Sequence, residues 1–230
     1  MRARTAIARV SAAALTVALP LFLALTALLP LISPLFLRLQ YARPDVPPSS
    51  RFTPEERQTL AEAAAYYLIS SQGIDYLSSI VDANGTPLFN DRELTHMVDV
   101  KVLLGKAIRL DIVLALVLAA SLAILLGRVE TRPRTPFYLL IAALVAPALA
   151  VSAMIVVPLQ FRWFFVEFHH VFFQGESWLF PRSDTLIQLF PEQFWFDALE
   201  TWLLLILAVS LALAIGTYIW MRRKKRPASP

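Results

Sequence analysis

Four stretches of this chain carry no charged residue: 10–37, 112–127, 135–161 and 201–221. A bilayer core about 30 Å thick takes about 20 helical residues. Inside it every backbone amide must find its partner within helices or a closed barrel. Three of the runs are long enough outright. The second, of 16 residues, needs Ile108 and Leu110, which reach past Asp111. The pattern predicts an all-α integral membrane protein with spans 10–37, 108–127, 135–161 and 199–221. A small extracytoplasmic cap, 38–107 and 162–198, would lie between helices 1 and 2 and between helices 3 and 4. The whole chain, 1–230, reads as a single integral membrane domain.

Composition agrees. The chain is 57% hydrophobic and 17% charged, against about 45–50% and about 25% in soluble domains. That argues against a water-soluble enzyme and against a disordered binder. There is no cysteine, which excludes disulfides, a thiolate nucleophile and a thiolate metal site. Arg2, Arg4 and Arg9 resemble the basic end of a signal peptide. The apolar run after them is 28 residues, nearly twice the ~7–15 of a cleavable segment, so a retained anchor is expected. Pro20, Pro30 and Pro34 should kink or break that first helix, because each removes a backbone donor.

Charge sets the expected orientation, since lysine and arginine near helix ends stay cytoplasmic. The N-terminal arginines, the turn with Arg128, Arg132 and Arg134, and the tail Arg222, Arg223, Lys224, Lys225 and Arg226 would share one side. These are 11 of the 21 basic residues, with a single acid, Glu130. The opposite side holds the other 10 basic residues and 16 of the 17 acids. Both termini are therefore expected in the cytoplasm of a multi-pass cell-membrane protein. The basic tail reads as a topological anchor and not as a nucleic-acid site.

The first outer segment opens on a Pro-rich linker. Thr53-Pro54-Glu55-Glu56 then combines an N-cap, a proline at the first helical position and a capping-box glutamate. The helix should run to about Ser71. The stretch 82–87 reads as a turn around Asn84-Gly85, and Asn90 with Glu93 repeats the capping pattern ahead of a helix into the second span. A straight helix there would lift His96 about 24 Å above the hydrocarbon core, at ~1.5 Å per residue. A bend or break is therefore expected, with Gly105 the favoured place. The second outer segment, counted from Phe161 to Asp197, holds ten Phe and three Trp, half of the aromatics in the chain. Most suit an interfacial belt. A belt leaves Glu167, His169, His170, Gln174, Glu176 and Trp178 among them unexplained.

The three histidines, His96, His169 and His170, all fall in the outer segments. Glu93, His96 and Asp99 are spaced three apart and share a helix face, where a carboxylate beside an imidazole would fix its tautomer and raise its basicity. Two chemistries compete. Glu93-x-x-His96 and Glu167-x-x-His170 are paired copies of a di-metal carboxylate spacing. Alternatively, the outer serines lack a nucleophile-elbow pattern, so the histidines suit acyl transfer in which the substrate supplies its own nucleophile. A third reading is a non-enzymatic accessory protein that binds a partner through the aromatic cap.

Phe89-Asn90-Asp91-Arg92-Glu93-Leu94-Thr95-His96-Met97-Val98-Asp99-Val100-Lys101 resembles the cap motif of the bacterial lipoprotein intramolecular transacylase family. So do Phe168-His169-His170-Val171-Phe172-Phe173, Trp178-Leu179-Phe180 and Pro191-Glu192-Gln193-Phe194. The resemblance implies a membrane acyltransferase. It would move the sn-2 acyl chain of a diacylglyceryl-cysteine lipoprotein onto its own N-terminal α-amine, giving a lyso-form lipoprotein. The implied partners are that lipoprotein N-terminus and membrane lipid, with no nucleic acid, no metal and no cofactor. The functional histidines map onto His96 and His169, with His96 as base oriented by Asp99. Glu93, Phe168, Phe172 and Trp178 are expected to contact the substrate. His170 departs from the family pattern, which usually has another polar residue there, and the stretch 174–177 departs as well.

Overall fold

The computed structural model describes residues 2–224, with side chains from 6 to 223. Among these residues the chain is helical, and its only β pairing is an isolated bridge between Val81 and Pro87. Nine α-helices follow one another: α1 (Arg2–Thr26), α2 (Pro34–Tyr41), α3 (Pro54–Ile69), α4 (Asp75–Ser78), α5 (Asp91–Gly127), α6 (Thr135–Val156), α7 (Phe161–Phe172), α8 (Thr185–Leu189) and α9 (Glu192–Lys224). Four stretches are long and apolar enough to cross a membrane: Ala6–Ile32, Asp91–Gly127, Thr135–Phe172 and Glu192–Arg223. Of the basic residues used to orient the chain, Lys225 and Arg226, with the side chains of Arg2, Arg4 and Lys224, lie outside the described residues.

Prolines cut the uncharged runs where the backbone loses donors. The run 10–37 is not one helix. α1 ends at Thr26, a 3-10 turn spans Leu29–Ile32, and Ser33 caps α2 by accepting from the Phe36 amide, with Pro34 at its start. Pro20 and Pro147 are carried inside α1 and α6. Pro158 falls in the 3-10 turn Val157–Gln160 that separates α6 from α7. The expected break near Gly105 does not occur, and α5 runs unbroken for 37 residues. One glycine costs a helix only about 1 kcal/mol against alanine, which so long a helix absorbs.

The described residues divide into two compact units, 2–27, 108–155 and 202–224 in one and 28–107 and 156–201 in the other. In the first, α6 aligns Ala142, Ala146 and Ala150, four apart and nearly fully buried. Small residues at that spacing let helix backbones approach where no hydrophobic force separates protein from lipid. Thr26 donates to both carboxylate oxygens of Asp111, at 3.1 and 3.2 Å. The Trp202 indole N–H donates to the Ala24 carbonyl at 2.7 Å.

The second unit has a water-soluble type of core. Leu60, Ala64 and Tyr67 of α3 pack with Leu77, Phe89, Met97, Leu186 and Leu189. Beside them Ala61 and Ala65 meet Phe36, Leu37, Phe194 and Ala198. The capping box read at Thr53 is present in full, with Glu56 returning to the Thr53 amide. The turn at 82–85 closes through Asp82, and Gly85 takes φ +80, a conformation that suits glycine. The buried Asp197 carboxylate is paired at both oxygens: Gln40 and Gln193 each donate to one of them, at 2.6 and 2.8 Å.

Candidate active site

The site lies within the second unit, at the junction of α5 and α7. Asn90 and Glu93 start α5 by exchanging hydrogen bonds: the Glu93 amide donates to Asn90 Oδ1 at 3.1 Å, and the Asn90 amide donates to Glu93 Oε2 at 2.9 Å. The other Glu93 oxygen accepts from the Leu186 amide at 2.6 Å. Glu93 is fully buried, and burial raises its carboxyl above the ordinary range, opposed by the amides of Asn90 and Leu186. One turn further along α5 comes His96.

α7 supplies the second ring. His169 faces inward, whereas Glu167 and His170, two positions before and one after, are exposed. The His169 Nδ1 lies 2.7 Å from the Phe165 carbonyl oxygen, one turn back on its own helix. A carbonyl only accepts, so Nδ1 carries the proton and Nε2 of the neutral ring keeps a lone pair.

The two imidazoles meet with centroids 6.0 Å apart and planes 23° from parallel. Both are buried, His96 at 9% and His169 at 8% exposure. Phe173 touches both rings, at 4.9 and 5.4 Å. Trp178 covers His169 at 4.7 Å, and Phe180 meets His96 edge-on at 5.4 Å. Phe165 lies 4.2 Å and Phe168 5.5 Å from His169. The His96 Nδ1 is buried without a protein hydrogen-bond partner. Both rings lie outside the uncharged runs. Burial, then the neighbouring His169, pushes His96 down to about 4. His169 is also lowered by burial, partly offset by its hydrogen bond to Phe165. Both imidazoles are therefore neutral at physiological pH.

The structure thus brings His96, His169 and Trp178 together. Phe168 joins them at the edge, 39% exposed, and the half-exposed Phe172 contacts Phe168. Glu93 is one turn from His96, but its two oxygens are occupied by backbone amides. Asp99 is half-buried and makes no hydrogen bond with His96 among the described residues. Shared helix-face spacing brought Glu93, His96 and Asp99 near one another without joining their side chains. The two Glu-x-x-His pairs do not converge either: among the described residues no group of three or more histidine, aspartate or glutamate side chains is arranged to hold a metal ion. Sequence reasoning missed the ties from 184–186 back to the start of α5. Thr185 donates to the Leu88 carbonyl, Leu186 to Glu93, and Arg92 pairs with Asp184 at 3.5 Å. Thr185 and Leu186 lie 97 and 93 residues from these partners, so no local sequence pattern signals the ties.

A family model described as lipoprotein intramolecular transacylase Lit matches residues 13–195. The chain belongs to this family. An uncharacterized protein of Aquifex aeolicus (strain VF5) is 30% identical over 163 residues, 70% of this chain and 72% of that protein. The membrane-integral lipoprotein intramolecular transacylase Lit from Bacillus cereus has the same fold. Its TM-score is 0.76 at 20% identity, over 96% of this chain and 99% of that one. A variant of that protein with one histidine replaced by alanine gives a TM-score of 0.70 at 19% identity, over 96% of each chain. This transacylase is accordingly an acyltransferase and a multi-pass membrane protein. The all-α, four-span fold read from the sequence is the fold observed.

Proposed function

We propose that this transacylase moves the sn-2 acyl chain of a diacylglyceryl-modified N-terminal cysteine onto the α-amine of the same cysteine, leaving a lyso-form lipoprotein. The observation that carries this reading is the pair of buried imidazoles 6.0 Å apart, one of them held in a fixed tautomer. Such a pair supplies a base and an oxyanion donor and no nucleophile. The substrate brings its own.

The neutral amine attacks the sn-2 carbonyl carbon, and the C–N bond forms. The His169 Nε2 lone pair takes the proton the nitrogen loses. The role of base passes to His169 from His96, because the Phe165 carbonyl orients His169 whereas Asp99 does not bond His96. A neutral His96 donates its N–H to the developing oxyanion. When the tetrahedral intermediate collapses, the ester C–O bond breaks, and His169 returns the proton to the glyceryl oxygen. Donor and acceptor belong to one molecule, so orientation is built in. Ester to amide exchange is downhill and needs no activating group.

Helix α7 offers a route for the acyl chains: Phe168, Val171 and Phe172 form an exposed apolar surface next to His169. The site faces the extracytoplasmic side, with both termini cytoplasmic, on the strength of the charge distribution.

The test is purified protein in lipid with a synthetic diacylglyceryl-cysteine lipopeptide carrying a labelled sn-2 chain. Mass spectrometry should find the label on the α-amine, and no product from a peptide whose amine is acetylated. Transfer of the label to a second molecule, or its retention on glycerol, would refute the reaction.

A further inference from the structure

The segment between α7 and α8 is mostly exposed. Gln174, Gly175, Glu176, Leu179, Pro181, Arg182 and Ser183 face outward. Two large rings on the same segment turn inward, and they are the ones that cover the histidines. Trp178 is 7% exposed against His169, and Phe180 meets His96. The backbone holds them there. Gly175 takes φ +68, which other residues rarely adopt, and its carbonyl accepts from the Trp178 indole N–H at 3.2 Å. At the far end Asp184, Thr185 and Leu186 are tied to Arg92, Leu88 and Glu93. The rings are thus positioned by anchors at both ends of the segment, and the histidines need supply only contact. Beneath them the His96 Nδ1 is buried without a protein partner.

A base with a free lone pair beside an ester activates water as readily as an amine. Hydrolysis would place the water oxygen on the acyl carbon, break the same C–O bond, return the proton to the glyceryl oxygen and release a free fatty acid. We infer that Trp178 and Phe180 are specificity-determining residues that choose the nucleophile: they keep water from the His96–His169 pair, so that the α-amine tethered to the ester is the only acceptor within reach. The inference rests on the reaction proposed above, and it makes amide formation a property of the 174–183 segment as much as of the histidines.

The experiment uses full-length protein in lipid, the labelled lipopeptide and heavy-oxygen water. It measures the ratio of free fatty acid to N-acyl product for the wild type and for Trp178→Ala and Phe180→Ala. Trp178→Phe and Phe180→Leu serve as milder variants that keep the segment's bulk, and Leu179→Ala, on the outer face of the same segment, as the control. The alanine variants should raise the ratio about tenfold, the equivalent of about 1.4 kcal/mol between competing transition states, with heavy oxygen in the released acid. The milder variants should fall between, and Leu179→Ala should match the wild type. If the variants lose both products in proportion, or form amide with the wild-type ratio, the inference is overturned while the transacylation reading stands. If the wild type forms no amide, both fall.

Discussion

His169 donates its Nδ1–H to the Phe165 carbonyl, at 2.7 Å, within a single helix. The tautomer of this ring is thereby set by the α7 backbone, and no carboxylate is needed to hold it. Serine-protease triads assign that task to an aspartate. Here a peptide carbonyl one turn back performs it in a site lined by phenyl rings, where a carboxylate would be costly to bury.

Replacing His169 or His96 by alanine should reduce transacylation roughly a hundred- to ten-thousand-fold, the range for a lost general acid–base group. Protein level and helicity should be unchanged. His170→Ala should cost far less, because that ring is exposed and lies edge-on to Trp178. Asp99→Asn should also stay within about threefold, since no hydrogen bond from Asp99 orients His96. Initial rates on the labelled lipopeptide decide each case. A large loss at Asp99 or His170 would return the base to His96 or revive the paired Glu-x-x-His reading.

Stability should fall in acid, with a sign fixed by burial. The His96 pKa is lowered from 6.5 to about 4 in the folded protein, so the unfolded chain binds more protons between these values. The contribution is fully present above pH 6.5 and is lost as pH falls toward 4. The thermal unfolding midpoint in detergent should drop from pH 7 to pH 5, and His96→Phe should flatten that slope. An equal slope in the variant would show that other groups set it.

Glu93→Ala should destabilise the protein by about 1–3 kcal/mol, because it strands the buried Leu186 amide. Glu93→Gln keeps one carbonyl acceptor and should lose less. Thermal unfolding of the two variants checks this. Equal midpoints would mean that the carboxylate braces nothing.

Cysteines placed at Ser71 and Ser183, both exposed, should react with an impermeant thiol reagent in intact cells, and one at Ser229 should not. The cysteine-free chain gives a clean background. The reverse pattern would invert the topology.

The membrane frame was readable because desolvation makes charge in hydrocarbon so costly that uncharged runs stand out. The caps at Thr53 and Asn90 were readable because they are local exchanges over three residues. His96 and His169 could be picked out as candidates, but not their roles. Those depend on whether a ring's partner is one turn away on the same helix, as Phe165 is for His169, or fails to connect, as Asp99 does for His96. Helix spacing placed Glu93 on the face of His96, whereas its carboxylate turned to the Leu186 amide, 93 positions on. Gly105 misled because a helix that long tolerates one weak position.

The seal over the histidine pair has a consequence for energetics. In the reaction proposed above, the proton that His169 takes from the amine returns to the glyceryl oxygen released beside it. Each turnover then closes on itself, with no ion exchanged with either compartment. Such an enzyme draws nothing from the voltage or the pH difference across the bilayer in which it sits, and it should run as fast in a de-energised membrane as in a living one.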